Sequence, residues 1–160
     1  MGFQTQVNLT PAIGLNGDFA SGNPRASFPS PEGGFVAGSG GVTVGRFAWV
    51  STSDGKTVLN TGTGKPQGFI HREQQAFITT YLAESGSNVP AGQPVTLMNK
   101  GDYFATATVA AATIGQKVFA KLADGTVQTG AAGATISGYI ETDFTVSRAC
   151  AIGELTVITL

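Results

Sequence analysis

The chain has 160 residues and a net charge of −1 from nine basic and ten acidic residues, with no basic run to collect phosphates and no charged tail. Charged residues are only 12% while hydrophobic ones are 41%, so the chain can bury a core but presents a weakly charged surface, which disfavours nucleic-acid binding. No apolar run reaches the length of a membrane span, the N-terminus lacks a signal peptide, and a single cysteine excludes an internal disulfide; these point to a protein made in the cytoplasm.

Residues 1–41 stand apart. They hold nine of the 23 glycines, four of the seven prolines (Pro11, Pro24, Pro29, Pro31) and three charges. Such a stretch resists forming regular elements by itself. Yet Phe3, Val7, Leu9, Ile13, Leu15, Phe19, Phe28 and Phe35 are spread along it like anchors. The composition predicts an extended, Gly/Pro-rich arm that packs on its own domain or on a neighbour. The remainder, 42–160, is predicted to be the globular domain.

From Val42 onward, short strands alternate with turns. "VTVGRFAWV" (42–50) is rich in β-branched and aromatic residues, and its alternation changes face near Gly45-Arg46, as at a bulge. "SDGK" (53–56) predicts an Asp-Gly hairpin leading into "TVLN". Residues 70–84 are the one stretch with some helical periodicity, but "FITTY" favours strand, turn, strand. "PAGQPVTLMN" (90–99), "DYFATATVAA" (102–111), "QKVFAKLADGTVQTG" (116–130), "ATISGYIETDFTVSRACAI" (134–152) and "GELTVITL" (153–160) read as further strands. "LADGTV" is a second Asp-Gly hairpin. The pattern predicts an all-β fold, a small β-barrel or jelly-roll-like sandwich.

His71 is the only histidine and lies in "GFIHREQQAF" (68–77) beside Arg72 and Glu73. "HRE" matches half of a zinc deaminase signature, but the paired cysteines of that site are missing, and one His with one Cys cannot supply three or four soft ligands. No G-x-S-x-G elbow accompanies the histidine. "SDGK" matches S-x-x-K, yet Asp-Gly at its centre enforces a hairpin where a helical turn is needed. "GGFVAGSGGVTVG" (33–45) lacks the lysine and spacing of a phosphate loop. Glu141 and Asp143 share a strand face and read as a solvated edge. Cys150, in an apolar run, reads as a small buried hydrophobe. No catalytic residue, metal ligand or cofactor is predicted, and the chain is expected to work through its surface.

The strings "GDFASGNPRASF" (17–28), "GGVTVGRFAWV" (40–50), "GFIHREQQAFITTYLAESG" (68–86), "PAGQPVTLMNKGDYF" (90–104) and "TIGQKVFAKLADGTVQTG" (113–130) together resemble the capsid cement, or decoration, proteins of tailed bacteriophages. That resemblance covers nearly the whole chain. It implies a β-rich, non-enzymatic protein that assembles as a homodimer or homotrimer on the outer surface of the mature head, contacting the major capsid protein. On this reading Phe3, Leu9, Phe19, Arg25, Phe28, Arg46, His71, Arg72 and Glu73 are the candidate capsid or subunit contacts, with Arg148 a further interface anchor. The alternative is a β-sandwich module binding glycans or a host surface. Such modules present an exposed aromatic platform, whereas Trp49, Tyr81, Tyr103 and Tyr139 sit in strand-like runs that predict a core position.

Overall fold

The computed structural model describes residues 13–73 and 87–160, and within them the chain is all-β. In chain order the strands are β1 (Ala26–Ser27), β2 (Phe35–Ala37), β3 (Val42–Thr43), β4 (Phe47–Val50), β5 (Thr57–Leu59), β6 (Gly68–Ile70), β7 (Asn88–Val89), β8 (Pro94–Val95), β9 (Leu97–Lys100), β10 (Asp102–Thr106), β11 (Lys117–Lys121), β12 (Val127–Gly130), β13 (Tyr139–Arg148) and β14 (Leu155–Thr159). They form a five-stranded sheet ordered β10-β14-β13-β11-β12, a seven-stranded sheet ordered β1-β9-β6-β4-β5-β2-β8, and a β3-β7 pair.

The five-stranded sheet is antiparallel throughout. Its strands follow period-two alternation except β11, where Val118, Phe119 and Ala120 are buried in succession. Thr142, Phe144 and Val146 of β13 are buried while Asp143 and Ser147 face water, and Tyr103 and Ala105 of β10 alternate with half-buried neighbours. One face therefore packs and the other is wetted, as antiparallel sheets permit.

The seven-stranded sheet is built differently. In its central strands β4, β6 and β9, successive residues serve opposite cores. Phe47, Trp49, Phe69 and Met98 pack with Tyr103, Val118, Phe144 and Ile158 of the small sheet. Their immediate neighbours Ala48, Ile70 and Leu97 pack instead with Phe35, Val42, Val44, Val58 and Val95. Strands buried on both faces read as continuous apolar runs, which explains "FAWV" and "GFI". Between them, Phe47, Phe69, Tyr103 and Phe144 form an aromatic cluster with ring centroids 5.2 to 6.2 Å apart. Edge and tilted aromatic pairs at this spacing add to the burial itself.

The sheet also curls. β8 and β9 lie towards opposite ends of the strand order, yet only Thr96 separates them in sequence. The two ends must therefore approach one another around the second core.

Two expected strands are divided and a third is cut short. Residues 42–50 become β3 and β4 in separate sheets, with Gly45 at φ 75° between them. A Cβ at Gly45 would lie 2.1 Å from the Asn16 side chain, so the break is both conformational and steric. The stretch 90–99 splits at Thr96 into β8 and β9, and 102–111 is strand only as far as Thr106. Both Asp-Gly hairpins form as expected. Asp54 accepts from the Lys56 and Thr57 amides and the Thr57 hydroxyl, while Asp124 accepts from the Thr126 amide and hydroxyl. The 70–84 stretch begins with Ile70 closing β6; residues 74–84 lie outside the described ones.

Residues from 17 to 37 are stitched to other parts of the chain. Backbone hydrogen bonds run from Gly17 to Phe104, from Phe104 to Asp18 and from Ala20 to Asp102. Residues 17–20 thus strap the free edge of β10. β1 then pairs with β9, and β2 with β5 and β8. Both strands of this stretch pair with strands outside it.

Candidate interface site

Five of the nine candidate contacts converge where the strap crosses the end of β6. β6 delivers His71 just past Ile70, and the Arg72 amide donates to the Gly17 carbonyl at 2.8 Å, bringing the two segments together. His71 Nε2 lies 2.6 Å from Glu73 Oε1, and Nδ1 lies 3.1 Å from the Arg72 carbonyl oxygen. The imidazole is 9% exposed and packs against Phe19, with centroids 4.6 Å apart. Phe19 in turn reaches Tyr103 at 5.6 Å and carries the Arg25 guanidinium 3.8 Å above its ring. Arg25 itself is exposed. A cation over an aromatic face at such a site contributes on the order of 0.5–1 kcal/mol.

Arg72 and Asp18 stand 4.0 Å apart, both with exposed edges, so this pair is long and screened by water. The strap's firmer polar tie is Asp102. It accepts from Ser21 Oγ at 2.5 Å, from Asn23 Nδ2 at 2.6 Å and from the Thr159 hydroxyl. These bonds, that of Ser21 foremost and then that of Thr159, hold the Asp102 carboxyl below the ordinary value of 3.8. Beneath it, burial pushes the Tyr103 phenol up to about 12, and its hydroxyl donates to the Lys100 carbonyl at 2.8 Å.

The other four candidates lie elsewhere. Arg46 Nη1 donates to the Asp124 carbonyl at 3.3 Å, bracing the second Asp-Gly hairpin against β4. Phe28 is half-buried 6.3 Å from Phe35, and its amide donates to the Leu97 carbonyl, so it pins β1 to the second core. Phe3 and Leu9 lie outside the described residues. Arg148 is exposed at the end of β13.

Asp18, Ser21, Asn23, Asp102 and Tyr103 belong to this node but give no signal in the sequence. Asp102 is separated from Ser21 by 81 residues and from Asn23 by 79, and nothing in a short polar string announces a partner at that distance. The node's chemistry is that of a clasp. Its polar groups pair with each other, and among the described residues no group of three or more His, Cys, Asp or Glu could hold a metal ion. Also among the described residues, no helix is long and apolar enough to cross a membrane.

A chain whose polar residues tie its own segments together and whose strands make broad sheet surfaces is built as a structural component, and comparison with known proteins places it among those of the virion. It belongs to the XM1 gp53 minor capsid protein family, whose model matches residues 3–160. A solved structure titled "The capsid of Myoviridae Phage XM1" contains a chain of similar fold, with a TM-score of 0.67 and 18% identity over 99% of this chain and 97% of that one. No curated protein matches. The family is one of capsid-associated phage proteins, so the chain's role is structural and its place is the virion.

Proposed function

We propose that the protein is a cement protein: it binds the outside of the mature phage head, bridges neighbouring major capsid protein subunits and acts without catalysis. The observation that carries this reading is the family match across residues 3–160. The clasp supports it physically. A strap locked by Phe19, His71 and Asp102 presents Arg25 and Arg72 in a fixed arrangement, so little entropy is lost when they meet a partner. Arg is also favoured at interfaces over Lys, because its planar fork pairs with carboxylates in two-point geometry. Binding only the expanded lattice stabilises it by mass action, and many copies on one shell add avidity to modest contacts. The partners are the major capsid protein and further copies of this chain, as a dimer or trimer, with neither nucleic acid nor membrane involved.

The glycan-binding alternative finds less support. Trp49 and Tyr103 are buried and Tyr139 is half-buried, leaving no broad aromatic platform among these three; Tyr81 lies outside the described residues.

The test is direct. Protein added to expanded heads that lack it should bind saturably and raise their disruption temperature, and an R25A/R72A variant should bind more weakly while losing only about 1 kcal/mol of fold stability. Failure to bind either expanded heads or isolated major capsid protein overturns the proposal.

A further inference from the structure

The loop 107–116 after β10 and the loop 149–154 after β13 meet at one end of the small sheet. Ala112 and Cys150 exchange backbone hydrogen bonds at 3.0 and 3.1 Å, Gly153 donates to Ala107 at 2.8 Å, and Gly115 donates to Val146 at 2.8 Å. The pairing makes a firm tip. Several of its side chains are apolar and outward, with Thr108 and Thr113 exposed among them. Ile114 is 66% exposed, Ile152 61% and Val109 53%, and Ala111, Ala149 and Ala151 lie open beside them. Residues 107–116 and 149–153 contain no Asp, Glu, Lys or Arg. An exposed, uncharged aliphatic cluster of this kind marks an interaction surface.

The chain itself carries a segment of matching chemistry that leads to this end. Residues 1–12 also contain no Asp, Glu, Lys or Arg. Met1, Phe3, Val7, Leu9, Ile13 and Leu15 all occupy odd positions, while Gln4, Gln6, Asn8 and Thr10 occupy even ones. In an extended chain that alternation places every one of these apolar residues on the same face. The described part begins at Ile13, which lines a recess of about 230 Å³ with Arg148, Cys150 and Leu155, next to the tip. Ile13 and Leu15, the last apolar residues of the alternating run, are themselves exposed. Twelve extended residues span about 40 Å, far enough to reach a neighbouring molecule.

We propose that the apolar tip formed by Val109, Ile114 and Ile152 is the docking face for residues 1–12 of a second copy of this chain. The contact joins two apolar surfaces, with the charged Arg148 and Glu154 at the rim of the face, and the tip is already held in shape by its backbone hydrogen bonds. Self-association by this route involves no capsid protein, so it stands or falls independently of the head-binding reading.

The experiment uses the full-length chain in two variants. I114D/I152D alters the face, at two exposed positions, and F3D/L9D alters the segment; circular dichroism checks that each variant keeps the fold of the unaltered chain. By sedimentation equilibrium the unaltered chain should associate, and each variant alone should associate at least about tenfold more weakly, the equivalent of about 1.4 kcal/mol. Mixing the two variants should restore a heteromer, because one copy then supplies an intact segment and the other an intact face. A monomeric unaltered chain overturns the proposal. So does association lost in I114D/I152D but kept in F3D/L9D, which would mean the face pairs with itself, and so does a mixture that stays monomeric, which would place the contact within one chain.

Discussion

The two sheets reach stability by different routes. The five-stranded sheet is made entirely from residues 102–159, its strands joined by close pairings except β10 with β14, and most of them alternate between a wet and a dry face. The seven-stranded sheet gathers strands of two to four residues from Ala26 to Lys100, and its centre is dry on both faces. A local sheet depends on its own pattern. A gathered one depends on what it packs against, here the small sheet on one side and its own curled end on the other. Phe69 lies where these dependencies cross, with Phe47 5.4 Å and Tyr103 5.2 Å away.

Removing Phe69 should therefore have the largest effect. Phe69→Ala is expected to cost on the order of 3–5 kcal/mol and to lower the thermal midpoint of both sheets together, followed by circular dichroism. If hydrogen exchange showed the small sheet still fully protected while the large one opened, the two would fold as separate units and the dependence drawn above would fail.

Next comes the joint between the sheets. Gly125 sits at φ 69°, and a Cβ there would lie 2.1 Å from the Phe47 carbonyl oxygen. Gly125→Val should lose about 2–3 kcal/mol, through backbone strain and displacement of the hairpin from β4. Chemical denaturation measures it, and Gly133→Ala is the control, since it too has positive φ but open space around it. Equal losses in the two variants would remove the steric part of the explanation.

The strap is a smaller term. Asp102→Ala removes a carboxylate that accepts from Ser21, Asn23 and Thr159, and should cost about 1–2 kcal/mol. The same carboxylate gives a pH dependence. Its folded pKa lies below 3.8, so its contribution is fully present above that value and is lost as pH falls through the lowered folded value. Amide exchange at Gly17, Ala20 and Phe104 should quicken first in that acid range, and Asp102→Asn should flatten the response. Exchange that quickens equally in the variant would assign the effect to another group.

Smallest is the ion pair Lys65–Asp143, 2.6 Å long, which spans the two sheets on the surface with more than half of each side chain exposed. Lys65→Ala should change stability by less than about 1 kcal/mol, and by less still at high salt. A larger loss would mean that the sheets are held together at their rim as well as through Phe69.

Much of the small sheet was legible in the residues themselves. Val118 to Ala120, the alternation from Thr142 to Ser147 and the Asp-Gly turn at 124–125 involve partners within a few dozen positions, so periodicity and turn chemistry suffice to find them. In the large sheet the same rules misjudged extent. Val42 to Val50 shows a change of face near Gly45 that reads as a bulge, whereas the chain breaks there into strands of separate sheets, where a Cβ would meet Asn16, 29 positions away. At the site, His71, Arg72 and Glu73 drew notice as rare polar residues. The clasp they share with Phe19 and Arg25 could not be read, because aromatic stacking across some 50 positions leaves no mark on either string.

The all-β character and the Asp-Gly turns were set by the residues themselves, since both follow from local conformational preference. Only the tertiary structure decided that an arm with no elements of its own becomes strap and strand, and that "GFIHRE" ends in a clasp over Phe19. The physical reason is that both outcomes rest on backbone donors and ring faces finding partners far along the chain, a pairing fixed by the packed core and not by the neighbouring residues.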